Sequence, residues 1–389
     1  FMVPGRVLVL DALPLTANGK VDTRALAGFP EVTADPAAGP YVAPATPTER
    51  RLATAWGKAL KYPDPTAFSA ADNFFACGGN SLIAVALINR LNREYGTRLP
   101  LQVLFDAPTL RELAARVDAD TDTPASRLLP LAREGDSAPV FCWPGLGGSP
   151  MNLRLLGREV GLDRPVFGVQ AHGINAGETP YPTIREMASA DLREIRRVQP
   201  GGPYTLWGYS FGARVAFEAA WQLEQAGEKV ERLLLICPGN PRVGRPDGGR
   251  EASYTDPAYV TILFSVFAGA IHGPALDACL AATRDEDSFV SYVGGLIPAL
   301  DASTIRRIAR IVATTYEFEY TFRELTERTV EAPITVFKAR GDDYSFLESH
   351  SGWSTRTPTV VELTGDHYGV LKEHGVAELV SAIRAAQRD

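Results

Sequence analysis

Two serines stand in short glycine-containing strings that are typical of covalent chemistry. Ser210 lies in Gly-Tyr-Ser-Phe-Gly, residues 208–212, between an apolar, strand-like run and a helical pattern. A serine nucleophile in a strained strand-to-helix turn needs small residues two positions away on either side. Ser81 follows two glycines and Asn80 and opens another helical pattern. There it can cap the helix or carry a phosphate ester, which the free amides and the helix dipole favour.

A serine hydroxyl needs a base to take its proton and an acid to orient that base. Hydrolases with an elbow of this kind place the histidine after the last strand of the sheet. His367 follows the strand-like residues 360–363 and is therefore the predicted base. His374, seven residues further on, is the runner-up. His172 precedes the serine, so we assign it to packing or to the rim of the site.

The sequence leaves two positions open for the acid. The turn after the penultimate predicted strand carries Asp342 and Asp343, and we favour Asp342 because it lies three residues past Ala339, which ends the strand. Thioesterases with such an elbow, which this sequence resembles, often carry the acid directly after the strand that follows the elbow helix, and here that position holds Cys237. A thiol cannot hold an imidazolium as a carboxylate does, so we predict the acid at Asp342, with Asp343 close behind.

Two backbone amides are predicted to bind the oxyanion. One belongs to Phe211, the residue after the nucleophile. The other comes from the glycine-rich loop Trp-Pro-Gly-Leu-Gly-Gly, residues 143–148, where we choose Leu146 and keep Gly145 and Gly147 as substitutes.

Composition excludes several classes of function. A chain of 389 residues with 45% hydrophobic residues has room for two or three domains with cores of their own. A net charge of -7 without a basic block argues against a nucleic-acid partner. No run of 18 apolar residues and no leader pattern is present, which predicts no membrane partner and a cytoplasmic location. The four cysteines lack metal-ligand spacing, so we expect no metal site and reduced, mostly buried thiols.

Proline-rich and Asp/Thr-rich stretches divide the chain. We predict linkers at residues 30–45 and 118–136, and between them a small four-helix-type bundle at 46–117 that opens with a capping box. Residues 137–389 alternate strands with helices, which indicates an α/β-hydrolase fold with a mostly parallel sheet and helices on both faces. A mainly helical insertion at about 240–330 is the expected lid over the site.

The motifs resemble the C-terminal part of nonribosomal peptide synthetases. Asp72–Leu82 resembles their thiolation (peptidyl carrier) domains, which implies 4'-phosphopantetheine on Ser81. Asn-Gly-Lys-Val-Asp at 18–22 resembles the end of an adenylation domain, so residues 1–29 are its expected tail, in which Lys20 would contact the carboxylate being activated. The large module resembles a type I thioesterase.

Longer strings, such as "CWPGLGGSPMNLRLL" and "KARGDDYSFLE", look like the branch of this family that makes the blue pigment indigoidine. That resemblance implies a glutaminyl thioester on Ser81, its transfer to Ser210, and release by attack of the glutamine side-chain amide. It also implies the remaining adenylation and oxidation domains and a phosphopantetheinyl transferase as partners. The alternatives are a hydrolytic or proofreading thioesterase, a stand-alone esterase, and a carrier or docking unit with an inactive hydrolase fold.

Overall fold

A computed structural model describes residues 41–387, apart from residues 63, 65–67, 80, 98, 100–102, 120–125, 133–134, 162, 176, 240–251, 299, 320–326 and 346–351. The predicted adenylation tail and most of the first predicted linker lie outside the described residues. The described chain forms two compact units. Of the described residues, one unit comprises those from 41 to 79 together with 107–119, and the other comprises those from 81 to 106 together with 126–387.

The smaller unit is built on two helices, α1 (Pro47–Leu60) and α4 (Leu110–Asp118). The Thr46 side chain accepts a hydrogen bond from the Glu49 amide, and the Glu49 carboxylate accepts one from the Thr46 amide, as the capping-box motif predicts. Trp56 is fully buried and meets the rings of Phe68 and Phe74 edge-on. These aromatic contacts hold the long connection after α1 against the helix.

The larger unit contains the remaining helices and one sheet of seven strands. Its helices are α2 (Ser81–Tyr95), α3 (Val103–Asp106), α5 (Arg154–Val160), α6 (Ile184–Val198), α7 (Phe211–Gln225), α8 (Pro257–Ala268), α9 (Pro274–Ala282), α10 (Glu286–Leu296), α11 (Ala302–Glu319) and α12 (Glu373–Ala386). The strands are β1 (Leu128–Ala132), β2 (Val140–Trp143), β3 (Val166–Val169), β4 (Tyr204–Tyr209), β5 (Val230–Ile236), β6 (Ile334–Arg340) and β7 (Thr359–Asp366). The sequence-based domain division, which put residues 46–117 in one module, differs from this grouping at α2 and α3.

The sheet has the strand order β1-β3-β2-β4-β5-β6-β7, and only the β1–β3 pair is antiparallel. Its central strands are buried on both sides. On β4, Tyr204 and Leu206 pack toward α6 and α7, whereas Trp207 and Tyr209 pack toward α5 and α12. Helices therefore cover both faces, which confirms the α/β-hydrolase fold predicted from the alternating pattern.

Among the described residues between β5 and β6, four helices, α8 to α11, form an insertion. Their apolar faces bury a cluster that includes Phe264, Phe289 and Val312, and Ala86 of α2 joins it. Two of the contacts that the insertion makes lie close to the predicted nucleophile and base. A Cβ atom added at Gly147 would lie 2.4 Å from Val266 on α8, and the Tyr368 hydroxyl donates to Ser265 Oγ at 2.8 Å. In the part of the chain that the structure describes, no helix has the length and apolarity to cross a membrane.

Candidate active site

Ser210 occupies the turn between β4 and α7, with a φ angle of +54° that side-chain-bearing residues rarely adopt. Its amide donates to the Ile236 carbonyl on the neighbouring strand at 2.9 Å. Gly208 and Gly212 flank the serine where a larger side chain would clash with the backbone. A Cβ atom at Gly208 would lie 2.4 Å from the Gly212 carbonyl oxygen, and one at Gly212 would lie 2.3 Å from the Pro144 carbonyl oxygen. The turn therefore has the geometry of a nucleophile elbow.

Ser210, His367 and Asp342 form a continuous chain of hydrogen bonds. Ser210 Oγ lies 2.8 Å from His367 Nε2, and His367 Nδ1 lies 2.7 Å from Asp342 Oδ2. The His367 and Asp342 side chains are only 5% and 3% exposed, so the pair is shielded from water. Because a carboxylate accepts at Nδ1, that nitrogen carries the proton and leaves Nε2 free to accept from the serine hydroxyl.

The parallel sheet brings these side chains together. Asp342 stands two residues after β6 and His367 directly follows β7, so both leave the same edge of the sheet as Ser210. The other two candidates point elsewhere. Asp343 is exposed and accepts from the Ser345 amide at 3.0 Å, and His374 is exposed near the start of α12.

Two tyrosines that sequence reasoning did not identify hold this chain of hydrogen bonds in place. The Tyr209 hydroxyl donates to the His367 carbonyl oxygen at 2.6 Å and fixes the backbone of the histidine loop. The Tyr344 hydroxyl accepts from the Ala339 amide at 2.7 Å and lies 3.3 Å from Asp342 Oδ2. Burial raises the pKa of both phenols above the ordinary range, so they stay protonated as donors. Their positions in the sequence could have indicated this role, because Tyr209 directly precedes Ser210 and Tyr344 lies two residues after Asp342.

Cys237 is fully buried at the end of β5 with a φ angle of +48°. Its amide donates to the Phe337 carbonyl at 2.8 Å, which continues the pairing with β6. Burial raises the pKa of the thiol well above its usual range, and the negative charge of Asp342 adds to the rise. The thiol is therefore neutral, and it takes no part in the hydrogen bonds of His367. Cys142 and Cys279 are also buried, as predicted, and Cys77 is half-buried.

The proposed oxyanion donors flank the nucleophile. Phe211 is the first residue of α7, and the first amides of a helix have no acceptor within it. The loop of Leu146 approaches from the other side, since a Cβ atom at Gly145 would lie 3.3 Å from Ser210 Cβ. Gly147 and Gly148 have φ angles of +82° and +68°, which lets this loop turn sharply beside the serine.

A cavity opens next to these amides. Its wall is mostly apolar and includes Leu146, Phe211 and Val215 from the core, with Ile311 and Thr315 of α11 on the insertion. His172 lies at this cavity, with its Nδ1 2.7 Å from the Thr179 carbonyl oxygen, as the rim assignment predicted. The cavity therefore adjoins the glycine-rich loop and the start of α7, which flank Ser210.

Asp191 of α6 is a buried carboxyl group in the wall of this cavity, and its side chain accepts a hydrogen bond from Trp143 Nε1 at 2.8 Å. Burial raises the pKa of Asp191 to about 7, against the opposing effects of the Trp143 hydrogen bond and Arg127. Glu194 raises it slightly and Arg193 lowers it. An aspartate in the unfolded chain titrates near pH ~3.9.

The first prediction follows from this raised pKa. The folded state holds its proton to higher pH than the unfolded state, so the contribution of Asp191 to stability is complete below about pH 4 and is lost as the pH rises through about 7. We expect Asp191→Asn to raise the melting temperature relative to the natural chain, by a margin that widens between pH 5 and pH 8. Thermal melts at four pH values measure this, with Glu194→Gln on the same helix as the control. A margin that is constant or narrows with pH would contradict it.

Ser81 is the first residue of the 15-residue helix α2. The glycines before it shape the approach, because Gly78 has a φ angle of +96° and a Cβ atom at Gly79 would lie 2.4 Å from the Phe74 ring. A serine at a helix start reached through such a turn fits a phosphate ester, since the free amides and the dipole of the helix favour the negative charge.

The fold and this arrangement define an α/β-hydrolase. Residues 138–386 match the family model described as Thioesterase domain, and residues 50–117 match the model described as Phosphopantetheine attachment site. The chain belongs to the thioesterase domain family, and it carries a phosphopantetheine carrier domain ahead of that domain in the manner of nonribosomal peptide synthetases.

Similar proteins agree with this assignment. An indigoidine synthase of Dickeya dadantii (strain 3937) is 54% identical over 100% of this chain and 26% of its own length. An indigoidine synthase of Streptomyces lavendulae is 54% identical over 99% of this chain and 30% of its own length. The solved structure of holo-AB3403, a four-domain nonribosomal peptide synthetase bound to AMP and glycine, aligns with 99% of this chain and 29% of that chain, with a TM-score of 0.56 and 27% identity. The chain thus spans less than a third of the length of these relatives.

Proposed function

We propose that this chain accepts an aminoacyl group at its carrier domain, transfers it to Ser210 and releases it by cyclisation. The observation that carries the proposal is the chain of hydrogen bonds from Ser210 through His367 to Asp342, on a thioesterase domain that follows a carrier domain. The alternative of an inactive docking fold expected the acid to be missing, and the buried Asp342 at 2.7 Å from His367 argues against it.

Ser81 is the residue that would hold 4'-phosphopantetheine, through an ester at the start of α2. When bound, that group supplies a thioester at the end of a long flexible arm. A phosphopantetheinyl transferase is the partner required to attach it.

The chemistry of the chain's own residues follows from the tautomer of His367. Nε2 takes the hydroxyl proton as Ser210 Oγ attacks the acyl carbonyl, and Asp342 stabilises the imidazolium that forms. The amides of Phe211 and Leu146 bind the oxygen as it becomes negative. On collapse, the carbon–sulfur bond breaks and the imidazolium gives its proton to the leaving sulfur. An acyl ester on Ser210 and a neutral imidazole remain.

We propose a glutaminyl group as the acyl group, supported by the similarity to two indigoidine synthases. The side-chain amide nitrogen then attacks the Ser210 ester carbonyl while His367 accepts the proton from that nitrogen. The ring closes, the carbon–oxygen bond of the ester breaks, and the imidazolium returns the proton to Ser210 Oγ. Adenylation and oxidation domains of the same synthetase are the proposed partners, since activation and oxidation need groups that this mechanism does not supply.

The second prediction tests this function by mass. After treatment with a phosphopantetheinyl transferase and coenzyme A, the chain should gain one pantetheine arm, and Ser81→Ala should gain none. With glutaminyl coenzyme A as donor, the loaded chain should release a product lighter than glutamine by one water. Free glutamine as the product would instead support the hydrolytic or proofreading alternative. An acyl group that stays on the carrier would support the docking unit.

A further inference from the structure

The cavity beside Ser210 has one buried acid in its wall that the mechanism above does not use. Asp191 is 7% exposed, and it faces a surrounding that is otherwise largely aliphatic, aromatic or glycine backbone. A buried carboxyl group is costly unless it has partners that satisfy it. The hydrogen-bond partners of Asp191 therefore indicate its role in the cavity wall.

One oxygen of Asp191 is accounted for. Oδ2 accepts the indole N–H of Trp143 at 2.8 Å. The neighbouring cation Arg127 is engaged elsewhere, since its guanidinium pairs with Glu178 and donates to the Ala171 carbonyl at 3.1 Å. Within the part of the chain that the structure describes, Asp191 makes no ion pair. Its carboxyl group is thus held by the indole and keeps acceptor capacity on the side of the cavity.

We infer that Asp191 is the specificity residue of the acyl pocket, and that it accepts a hydrogen bond from an N–H group of the acyl chain, either an ammonium or a primary amide. The inference rests on the proposed function, because it takes the cavity as the acyl site. An aliphatic acyl chain would leave the second carboxyl oxygen, Oδ1, without a hydrogen-bond donor, whereas an aminoacyl chain carries an N–H group that can donate to it. The pocket would therefore reject plain fatty acyl groups and favour nitrogen-bearing ones.

The substitution Asp191→Asn tests this with little change in shape. The indole of Trp143 needs an acceptor, so the new amide is expected to turn its oxygen toward Trp143 and its NH2 group toward the cavity. A donor then faces the donor of the substrate. We expect kcat/KM for nitrogen-bearing substrates to fall about 10- to 100-fold, the range typical of a lost hydrogen bond to a charged group.

The experiment uses the full chain and four N-acetylcysteamine thioesters of matched length, followed by thiol release. It is run at pH 8, above the pKa of about 7 of the Asp191 carboxyl group, so that this group is mostly ionised and accepts hydrogen bonds. The acyl groups are glutaminyl with both an amine and an amide, 5-amino-5-oxopentanoyl with the amide alone, norvalyl with the amine alone, and pentanoyl with neither. The natural chain should prefer the first. Asp191→Asn should lose activity on glutaminyl and on whichever single-donor substrate shares the contact, and keep its activity on pentanoyl.

A loss of equal size on all four thioesters, or no loss on any, would overturn the inference. Glu194→Gln, on the same helix but paired with Arg197 and away from the cavity wall, is the matched control and should leave the substrate order unchanged. Asp191→Leu is a second variant that removes the acceptor altogether, and its activity on pentanoyl reports its folding. Failure of the natural chain to release thiol from any substrate would instead overturn the proposed function.

Discussion

Replacing Ser210 by alanine is expected to lower acyl release by at least about 10⁴-fold. The variant loses Ser210 Oγ, which lies 2.8 Å from His367 Nε2 and is the proposed proton donor and nucleophile. What remains are the oxyanion amides and the binding of the acyl group, which in serine hydrolases keep a small residual rate over water. Stopped-flow thiol release with the glutaminyl thioester measures the effect.

Loading of the carrier domain serves as the control for this variant. Ser210→Ala should gain the pantetheine arm at Ser81 as fully as the natural chain, and it should keep the glutaminyl group on that arm. Turnover that is unchanged while loading is normal would mean that release does not pass through Ser210.

The substitution Asp342→Asn is expected to slow acyl transfer about 10⁴-fold, by comparison with serine-protease triads in which the acid becomes an amide. An asparagine there can offer its NH2 group to His367 Nδ1, which then has to act as the acceptor. The proton moves to Nε2, and the nitrogen that faces Ser210 at 2.8 Å can no longer take the serine proton. Single-turnover acylation followed by mass spectrometry measures the rate.

Two neighbouring residues provide matched controls. Asp343→Asn changes an exposed carboxylate in the same turn and should leave the rate within about twofold, because its contact is with the Ser345 amide. Cys237→Ala should also retain activity and cost about 1 kcal/mol in packing. If Cys237→Ala is inactive while Asp342→Asn is active, Cys237 at the end of β5 has the role that we assign to Asp342. If only Asp343→Asn is inactive, Asp343 is the acid.

The positions of Ser210 and His367 could be predicted because each depends on local order along the chain. The elbow needs only a strand, two small residues and a helix, and the structure shows why, since added Cβ atoms at Gly208 and Gly212 would strike backbone atoms. His367 could be predicted because it directly follows the last strand of a parallel sheet. The capping box at Thr46 was readable for the same reason, since both of its partners lie within one turn of helix.

The acid that orients His367 could not be identified from local order along the chain. Asp342 and Asp343 share a turn, and which of them faces His367 depends on how the chain leaves β6, a matter of one residue of register. Tyr209, Tyr344 and Asp191 were missed because their partners are distant in sequence or belong to another element. Asp191, for example, meets Trp143 across 48 positions. The predicted adenylation tail at 1–29 and its Lys20 stay predictions.

Passage of the acyl group through an ester on Ser210 can be observed by peptide mapping with mass spectrometry, on the natural chain quenched with acid within one turnover of a glutaminyl thioester. We expect an acyl mass on the peptide that contains Ser210, absent from Ser210→Ala and strongly reduced in Asp342→Asn at the same time point. Normal product release without acyl mass at Ser210, or with the mass on another residue, would rule out this covalent intermediate.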